Sequence, residues 1–302
     1  MRHWRLGLLG FGAVGQALAR LLLEAADELA AAHELTVAVG LLATRRGGVT
    51  LAADGAPPGG GVDLRTALEG HVPAGDGELH GAQAVATAPL DVVVELTPLD
   101  PAAGEPATSH VRAAIAAGRH VITANKGPIA LHGPELRGLA RAAGVGLRYE
   151  ATLMDCLPVQ ALHEAAIPVG GVEAFAAIPN STSNHVLDAM AGGRSRRDAV
   201  ADAQRLGIAE ADPSLDLDGW DAAFKAAILA QELLGRDVLA GDVVRTGLAA
   251  VADHEPAAAV AAGERVRLVA RGERAGGAVR VAPERVPAAS VLGAAGGFSM
   301  AL

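Results

Sequence analysis

The 302-residue sequence has a single cysteine, Cys156, and this shortage excludes two kinds of structure. One thiol cannot form an internal disulfide framework, and it cannot build a metal cluster held by several cysteines. A chain almost free of cysteine is also typical of a reducing compartment. We therefore expect a cytoplasmic protein.

Long apolar runs and an excess of positive charge are missing as well. No uninterrupted apolar stretch reaches the roughly 20 residues that a membrane helix needs. The N-terminal region acquires glycines at once instead of an apolar core, so it does not resemble a signal peptide. A net charge of -9 with a pI near 5.6 argues against nucleic acid or anionic lipid as a partner. What remains is a globular chain, 51% hydrophobic, long enough for two domains.

Lysine is scarce too, since Lys126 and Lys225 are the two lysines of the sequence. All other positive side chains are arginines, which keep their proton at working pH, so these two lysines are the titratable amines. Lys126 follows a predicted strand, Arg119 to Thr123, at the strand end where catalytic and substrate groups collect in parallel sheets. The alternative is an ordinary solvated loop lysine.

Lys225 closes a stretch, Gly207 to Lys225, that is rich in carboxylates. Glycines and a proline mark its first part as turns, and a helix then begins that is apolar on nearly every face and is therefore predicted to be buried all round. Asp221 and Lys225 stand four residues apart and share one face of that helix. They form either a surface ion pair or a charged couple lining a pocket, and the apolar helix favours the pocket.

The first half of the sequence begins with a strand, a glycine-rich turn and a helix. This order suits a dinucleotide, because one glycine makes the turn, one lets the backbone approach the pyrophosphate and one allows close helix packing. The predicted cofactor-binding residues of the turn are Gly10, Phe11, Gly12, Ala13, Val14 and Gly15.

The second predicted strand, Leu35 to Leu42, is followed by Arg45 and Arg46 and by no acidic residue. An acidic residue at this point would accept a hydrogen bond from the ribose 2'-hydroxyl of NAD, whereas arginine can neutralise the 2'-phosphate of NADP. The preferred prediction is NADP, with NAD possible, and the alternative is that both arginines are solvated.

Strands and helices alternate up to about residue 150, which predicts a Rossmann-type doubly wound parallel sheet as a nucleotide-binding domain, residues 1–150. The buried run Leu90 to Leu96 ends at Thr97 and Pro98, which we expect at the cofactor crevice. A helix is predicted from Pro134 to Ala143 and a strand from Val145 to Glu150. Residues 151–285 read as a second α+β domain with an antiparallel or mixed sheet, in which the polar turn 180–184 caps a helix.

Six segments together resemble homoserine dehydrogenase. They read GFGAVG (10–15), ELTP (95–98), TANKGPIA (123–130), YEAT (149–152), NSTSN (180–184) and GIAEADPSLDLDGWDAAFK (207–225), and they stand in the order of that family. The resemblance covers the chain from Arg5 to about Gly235 and implies an NAD(P)-dependent enzyme that interconverts L-homoserine and L-aspartate 4-semialdehyde for threonine, methionine and isoleucine synthesis.

The resemblance also implies residue roles. Lys126 and Lys225 are expected beside the reacting oxygen, Lys225 as the acid/base group, and Asp221 positions Lys225. The substrate-binding residues implied are Glu210, Asp216, Asn180 and Thr182. A monovalent cation, Na⁺ or K⁺, is implied near the backbone of Glu150, Leu153, Asp155 and Leu157.

For assembly, the resemblance implies a homodimer built on the second domain. It corresponds to the short form of the family without a regulatory domain, and residues 286–302 are expected to return toward the nucleotide-binding domain but to stop short. Two alternatives stay open. One is aspartate-semialdehyde dehydrogenase, for which Cys156 is the candidate nucleophile. The other is an NAD(P)-binding homologue with impaired catalysis.

Overall fold

A computed structural model describes residues 1–45, 48–51, 61–71, 81–154, 157–167 and 169–302. The chain divides into two compact units, Met1–Thr152 and Leu153–Leu302. Among the described residues, none of the helices combines the length and the apolarity that crossing a membrane would take.

The first unit is built on a sheet whose described strands lie in the order β3-β2-β1-β4-β5-β6. All neighbouring strands are parallel except β3, which runs antiparallel to β2 at the edge. The strands are β1 (Arg2–Leu9), β2 (Leu35–Thr44), β3 (Gly48–Leu51), β4 (Val92–Glu95), β5 (His120–Thr123) and β6 (Leu147–Arg148). The helices are α1 (Ala13–Glu24), α2 (Ala26–His33), α3 (Leu64–Leu68), α4 (Gly81–Thr87), α5 (Ala107–Ala116) and α6 (Lys126–Ala143).

The central strand β4 shows why this sheet is doubly wound. Val93 belongs to an apolar cluster with residues of α4, α5 and α6. Val92 and Val94 point to the opposite face and pack with residues of α1 and α3. A strand buried on both faces needs apolar residues at successive positions, which is the pattern that predicted a Rossmann-type fold, and the prediction is confirmed.

Two boundaries in this unit were predicted wrongly. Helix α6 begins at Lys126 instead of Pro134, because the Asn125 side chain caps it by accepting a hydrogen bond from Gly127 N at 2.9 Å. Lys126 is therefore the first residue of a helix and not a loop residue. The predicted strand Val145 to Glu150 shrinks to β6, since Gly146 N donates to the His120 side chain and Glu150 begins a short 3₁₀ turn.

The second unit holds a mixed sheet in the order β7-β9-β10-β8, as predicted. Its strands are β7 (Ala174–Ala177), β8 (Val244–Arg245), β9 (Glu264–Glu273) and β10 (Arg280–Pro287). Its helices are α7 (Val159–Ala166), α8 (Ser181–Ala191), α9 (Arg196–Arg205), α10 (Ser214–Leu217), α11 (Trp220–Leu233), α12 (Glu255–Ala261) and α13 (Val291–Ala294). Residues 286–302 belong to this unit, where Ala301 forms a β-bridge with Ile178.

Candidate active site

The three glycines of the turn between β1 and α1 have different structural roles, as predicted. Gly10 has a φ of +103°, and a Cβ there would lie 2.6 Å from the Leu96 carbonyl oxygen. A Cβ on Gly15 would lie 2.7 Å from the Gly10 carbonyl oxygen, so both positions require glycine for packing. Nothing lies within 4 Å of a Cβ on Gly12. The backbone at Gly12 is thus open to a ligand.

The beginning of helix α1 fits a pyrophosphate. Gly12 is its N-cap and provides no side-chain cap, so the first N–H groups of the helix are not satisfied by a capping side chain. Val14 in the first turn is 57% exposed although it is apolar. Unsatisfied N–H groups and the helix dipole attract anions at such a helix end. These residues are suited to holding the phosphates of a dinucleotide.

One of the two arginines predicted to bind the ribose end of the cofactor, Arg45, is among the described residues. Arg45 directly follows β2 and is exposed, at the carboxyl end of a strand next to β1. Arg46 lies outside the described residues. Arg45 is therefore the described position at which the 2'-phosphate prediction can be examined.

A chain of hydrogen bonds joins the ends of β4 and β5. Glu95 is fully buried, and its Oε1 accepts hydrogen bonds from the backbone N and the hydroxyl of Thr97. The Asn125 side chain donates to the carbonyl oxygens of Thr97 and Pro98 at 2.9 and 3.1 Å. Because Asn125 also caps α6, the loop after β4 is tied to the helix that begins with half-buried Lys126.

Glu95 and Asn125 were not among the predicted site residues. Their signals were present, since both stand next to predicted ones in the ELTP and TANK segments. Glu95 is an acidic residue inside an otherwise apolar strand, which calls for a buried partner. One partner of Glu95 is His110 of α5, whose Nδ1 lies 3.5 Å from Glu95 Oε1.

Helix α11 is buried all round, as predicted, and it carries Lys225 in its middle. Lys225 is 7% exposed, and its Nζ lies 3.5 Å from the Asp221 carboxylate one turn earlier. Nζ also donates a hydrogen bond of 2.7 Å to the carbonyl oxygen of Pro179, which follows β7. The couple is therefore not a solvated surface pair, and its place in a pocket stays a prediction.

Asn180 gathers the polar groups around Lys225. Its side-chain NH₂ donates to Asp216 at 2.8 Å and to Asp221 at 2.9 Å. Its side-chain oxygen accepts from Ser183 N at 2.8 Å and so caps α8, which confirms the predicted cap. One buried amide thus holds two carboxylates side by side and fixes them to the start of a helix.

The two remaining predicted substrate residues, Thr182 and Glu210, differ in their burial and contacts. Thr182 is buried, and its hydroxyl donates to the Ile208 carbonyl oxygen, which ties α8 to the stretch before α10. Glu210 is exposed, and no contact among the described residues links its side chain to the cluster. Asp212 turns to Ser214, whose hydroxyl and backbone N–H hydrogen bonds lower the pKa of the Asp212 carboxyl.

The structure does not test the predicted cation site, because part of it lies outside the described residues. Glu150 falls in the first unit, Leu153 and Leu157 fall in the second, and Asp155 lies outside the described residues. Leu157 N donates to the Met154 carbonyl oxygen at 3.0 Å. Within the described part of the chain, no group of three or more His, Cys, Asp or Glu side chains is placed to hold a metal. The cation stays a prediction.

Two family models match this chain. The model for homoserine dehydrogenase matches residues 158–302, and the model for the NAD binding domain of homoserine dehydrogenase matches residues 10–150. The second match begins at Gly10, the first glycine of the open turn, and ends at Glu150, two residues before the end of the first unit. Neither model describes an aspartate-semialdehyde dehydrogenase, so that alternative gains no support.

Relatives of known name agree with the family models. The NAD(+)-dependent homoserine dehydrogenase of Pseudomonas canavaninivorans is 38% identical over 83% of this chain and 72% of that protein. The homoserine dehydrogenase of Methanocaldococcus jannaschii is 31% identical over 98% of this chain and 88% of that protein. A solved homoserine dehydrogenase from Thiobacillus denitrificans has a TM-score of 0.83 at 30% identity, covering 99% of this chain and 65% of that one.

The glycine turn predicts opposite results for two alanine substitutions. Gly10→Ala places a side chain at positive φ against a carbonyl oxygen and should lower the free energy of unfolding by about 2 kcal/mol or more. Gly12→Ala has free space around its Cβ and should cost less than about 1 kcal/mol. Its methyl group instead obstructs the phosphates, so Gly12→Ala should weaken dinucleotide binding. Denaturant unfolding and cofactor titration check both, and equal stability of the two variants would contradict the assignment.

Substitutions of Asn180 can test its hydrogen bonds to Asp216 and Asp221 separately from its capping of α8. Asn180→Asp keeps an oxygen that can cap α8 but places a third carboxylate beside Asp216 and Asp221 in place of a donor. At neutral pH it should lower the free energy of unfolding by about 2 kcal/mol or more, since two half-buried carboxylates lose this donor and face a third negative charge. Asn180→Ala, which loses the cap without adding charge, is the matched variant. If urea unfolding finds Asn180→Asp as stable as the native protein, the hydrogen bonds from Asn180 to the two aspartates do not contribute to the free energy of unfolding.

Proposed function

Because this chain belongs to the homoserine dehydrogenase family, oxidoreductases that act on homoserine with a nicotinamide cofactor, we propose that it interconverts L-homoserine and L-aspartate 4-semialdehyde at the Lys225 cluster. The observation that carries the proposal is a buried amine contacting a carboxylate that a bridging asparagine holds beside a second carboxylate. The reaction needs a proton acceptor at the alcohol oxygen, and a positioned amine can serve as one.

Oxidation of homoserine removes one hydrogen from carbon and one from oxygen. The nicotinamide supplies the acceptor for the hydride that leaves the alcohol carbon. Lys225 takes the hydroxyl proton on Nζ, and in the direction of reduction it returns that proton to the aldehyde oxygen. Asp221 and the Pro179 carbonyl oxygen hold Nζ in one place, so that the proton moves over a fixed distance. Lys126 is the second proposed catalytic amine.

The two ends of the substrate need different partners. A free ammonium group requires carboxylates, and Asp216 offers one, held by Asn180 beside the catalytic group. Asn180 and Thr182 line the start of α8, where helix N–H groups favour an anion such as the substrate carboxylate. We include Glu210 as a further ammonium partner on the strength of the family resemblance, although the described contacts leave it at the surface.

For the cofactor, we propose the open turn from Gly10 to Gly15 as the pyrophosphate site, with Thr97 and Pro98 beyond it on the strand-end loop. The choice between NAD and NADP rests on Arg45 and Arg46. The relative from Pseudomonas canavaninivorans is named as NAD(+)-dependent. This chain carries two arginines and no acidic residue after β2, and we propose NADP as its preferred cofactor.

The family resemblance extends the proposal to assembly and pathway. We propose a homodimer built on the second unit, and a place in threonine, methionine and isoleucine synthesis in the cytoplasm. A molar mass by light scattering near 60 kDa, about twice the 30.3 kDa of the chain, would support the dimer.

Lys225 provides the direct test of the mechanism. Lys225→Met keeps an unbranched side chain of similar length in the apolar helix but removes the amine. It should lower kcat for homoserine oxidation by at least about a hundredfold, the usual contribution of a general acid or base. Lys225→Arg keeps the positive charge but holds its proton, and it should be equally slow. Absorbance of the reduced nicotinamide measures the rate.

Cofactor titration and thermal unfolding serve as the controls for these variants. The dissociation constant of the dinucleotide should stay within about twofold of the native value, because the described contacts of Lys225, with Pro179, Asp221 and Met300, are made within the second unit. Lys126→Ala should likewise lose turnover and keep the cofactor. If the native chain binds the cofactor yet fails to oxidise homoserine, the impaired-homologue alternative is correct.

Arg45 tests the cofactor preference. Arg45→Ser removes a charge that would pair with the 2'-phosphate, and it should raise the dissociation constant of NADP by about tenfold, the loss expected for one charge-assisted hydrogen bond. The NAD value should not change, since NAD has no phosphate there. Arg20→Ser, an exposed substitution farther along α1, is the control. An unchanged ratio of the two constants would remove Arg45 from cofactor selection.

A further inference from the structure

Residues 295–302 fold back onto α8 and the end of β7 and are fixed there by several buried contacts. The Asn184 side chain donates to the carbonyl oxygens of Ala295 and Ser299, each at 3.2 Å. Gly297 N donates to Asp188 at 2.6 Å. Ala301 and Ile178 exchange two backbone hydrogen bonds, of 2.8 and 3.3 Å. The path of this segment is therefore set by helix α8 and by the strand end that precedes the site.

A buried arginine secures the same segment from the sheet. Arg267 of β9 is 2% exposed, and its guanidinium donates to Asp188 at 2.6 Å and to the Gly293 carbonyl oxygen at 3.3 Å. One oxygen of Asp188 binds Arg267 and the other binds Gly297 N. An ion pair between a buried arginine and a half-buried aspartate with this many partners holds its neighbours in one geometry. The backbone on both sides of Met300 is thus anchored.

This anchoring places the Met300 thioether against the proposed catalytic amine. Met300 Sδ lies 3.8 Å from Lys225 Nζ. An ammonium group has three N–H donors and no acceptor. The Pro179 carbonyl oxygen is the close partner at 2.7 Å, and Asp221 lies at 3.5 Å. The remaining direction is toward a thioether, which is a weak acceptor that a stronger one readily replaces.

We propose that the reacting oxygen of the substrate takes the position beside Met300, so that this residue forms the wall of the pocket at the alcohol end. The inference rests on the proposed role of Lys225. It follows from the order of acceptor strength, because the alcohol or aldehyde oxygen outcompetes sulfur but not the Pro179 carbonyl or the Asp221 carboxylate. The thioether then contacts the carbon that carries the oxygen.

Two substitutions of similar size separate an acceptor effect from a packing effect. Met300→Gln presents an amide oxygen to Lys225 and should raise KM for homoserine about tenfold, since the substrate must now displace a full hydrogen bond. Met300→Leu offers no acceptor and should raise KM clearly less than Met300→Gln does, because leucine and methionine pack alike. Phe298→Leu is the control in the same segment, since Phe298 is 61% exposed and stacks on His185.

A footprint on the unmodified protein tests the same contact without turnover. Hydrogen peroxide transfers one oxygen atom to the methionine sulfur, giving a sulfoxide and water. Homoserine should slow the reaction at Met300, as followed by peptide mass spectrometry. Met1 is 69% exposed and should react equally fast with and without homoserine. Met154 and Met190 are buried and should react slowly throughout.

The outcomes distinguish this inference from the proposed function. If the native chain oxidises homoserine, while Met300→Gln keeps the native KM and homoserine leaves the oxidation of Met300 unchanged, the inference is wrong and the function stands. If the native chain does not turn over homoserine but homoserine still protects Met300, the pocket assignment holds and the catalytic proposal fails. Loss of both protection and turnover overturns both.

Discussion

The site depends on one interaction, the contact between the Lys225 amine and the Pro179 carbonyl oxygen. An amine that is 7% exposed in an apolar helix requires a strong acceptor, or its desolvation would cost several kcal/mol. Pro179 supplies that acceptor from the end of β7, and the next residue, Asn180, caps α8 and holds Asp216 and Asp221. A single strand end therefore fixes the amine, its carboxylate partner and the helix beside them.

The features of this arrangement that depend on residues close together in the sequence could be predicted. The spacing of Asp221 and Lys225 and the apolar faces of α11 follow from helical periodicity, and the three glycine roles follow from a local strand, turn and helix motif. The acceptor at Pro179 could not be predicted, because a backbone carbonyl carries no signature in the sequence and the contact spans 46 residues. The cap at Asn125 was missed for another reason, since Pro134 inside the helix looked like its beginning.

In the nucleotide-binding unit, polar side chains at the strand ends hold neighbouring groups in a similar way. Glu95 holds Thr97, and Asn125 holds the loop carbonyls and begins helix α6. In both units a buried amide caps a helix with its oxygen and uses its NH₂ group to fix the partners of the site. An asparagine can do both at once because its side chain carries an acceptor and two donors, and an aspartate at the same place can do only the first.

The scarcity of aromatic residues helps to explain why backbone groups carry so much of the site. Seven aromatic residues in 302 leave the interior to small and aliphatic side chains, and α11 is buried largely through alanines. Small side chains let the backbone of neighbouring elements approach closely, so carbonyl oxygens come within reach of a buried amine. The position of Met300 also depends on backbone groups, since the backbone around it is hydrogen-bonded to side chains of α8 and β9. The alcohol end of the proposed pocket is thus determined by the core of the second unit.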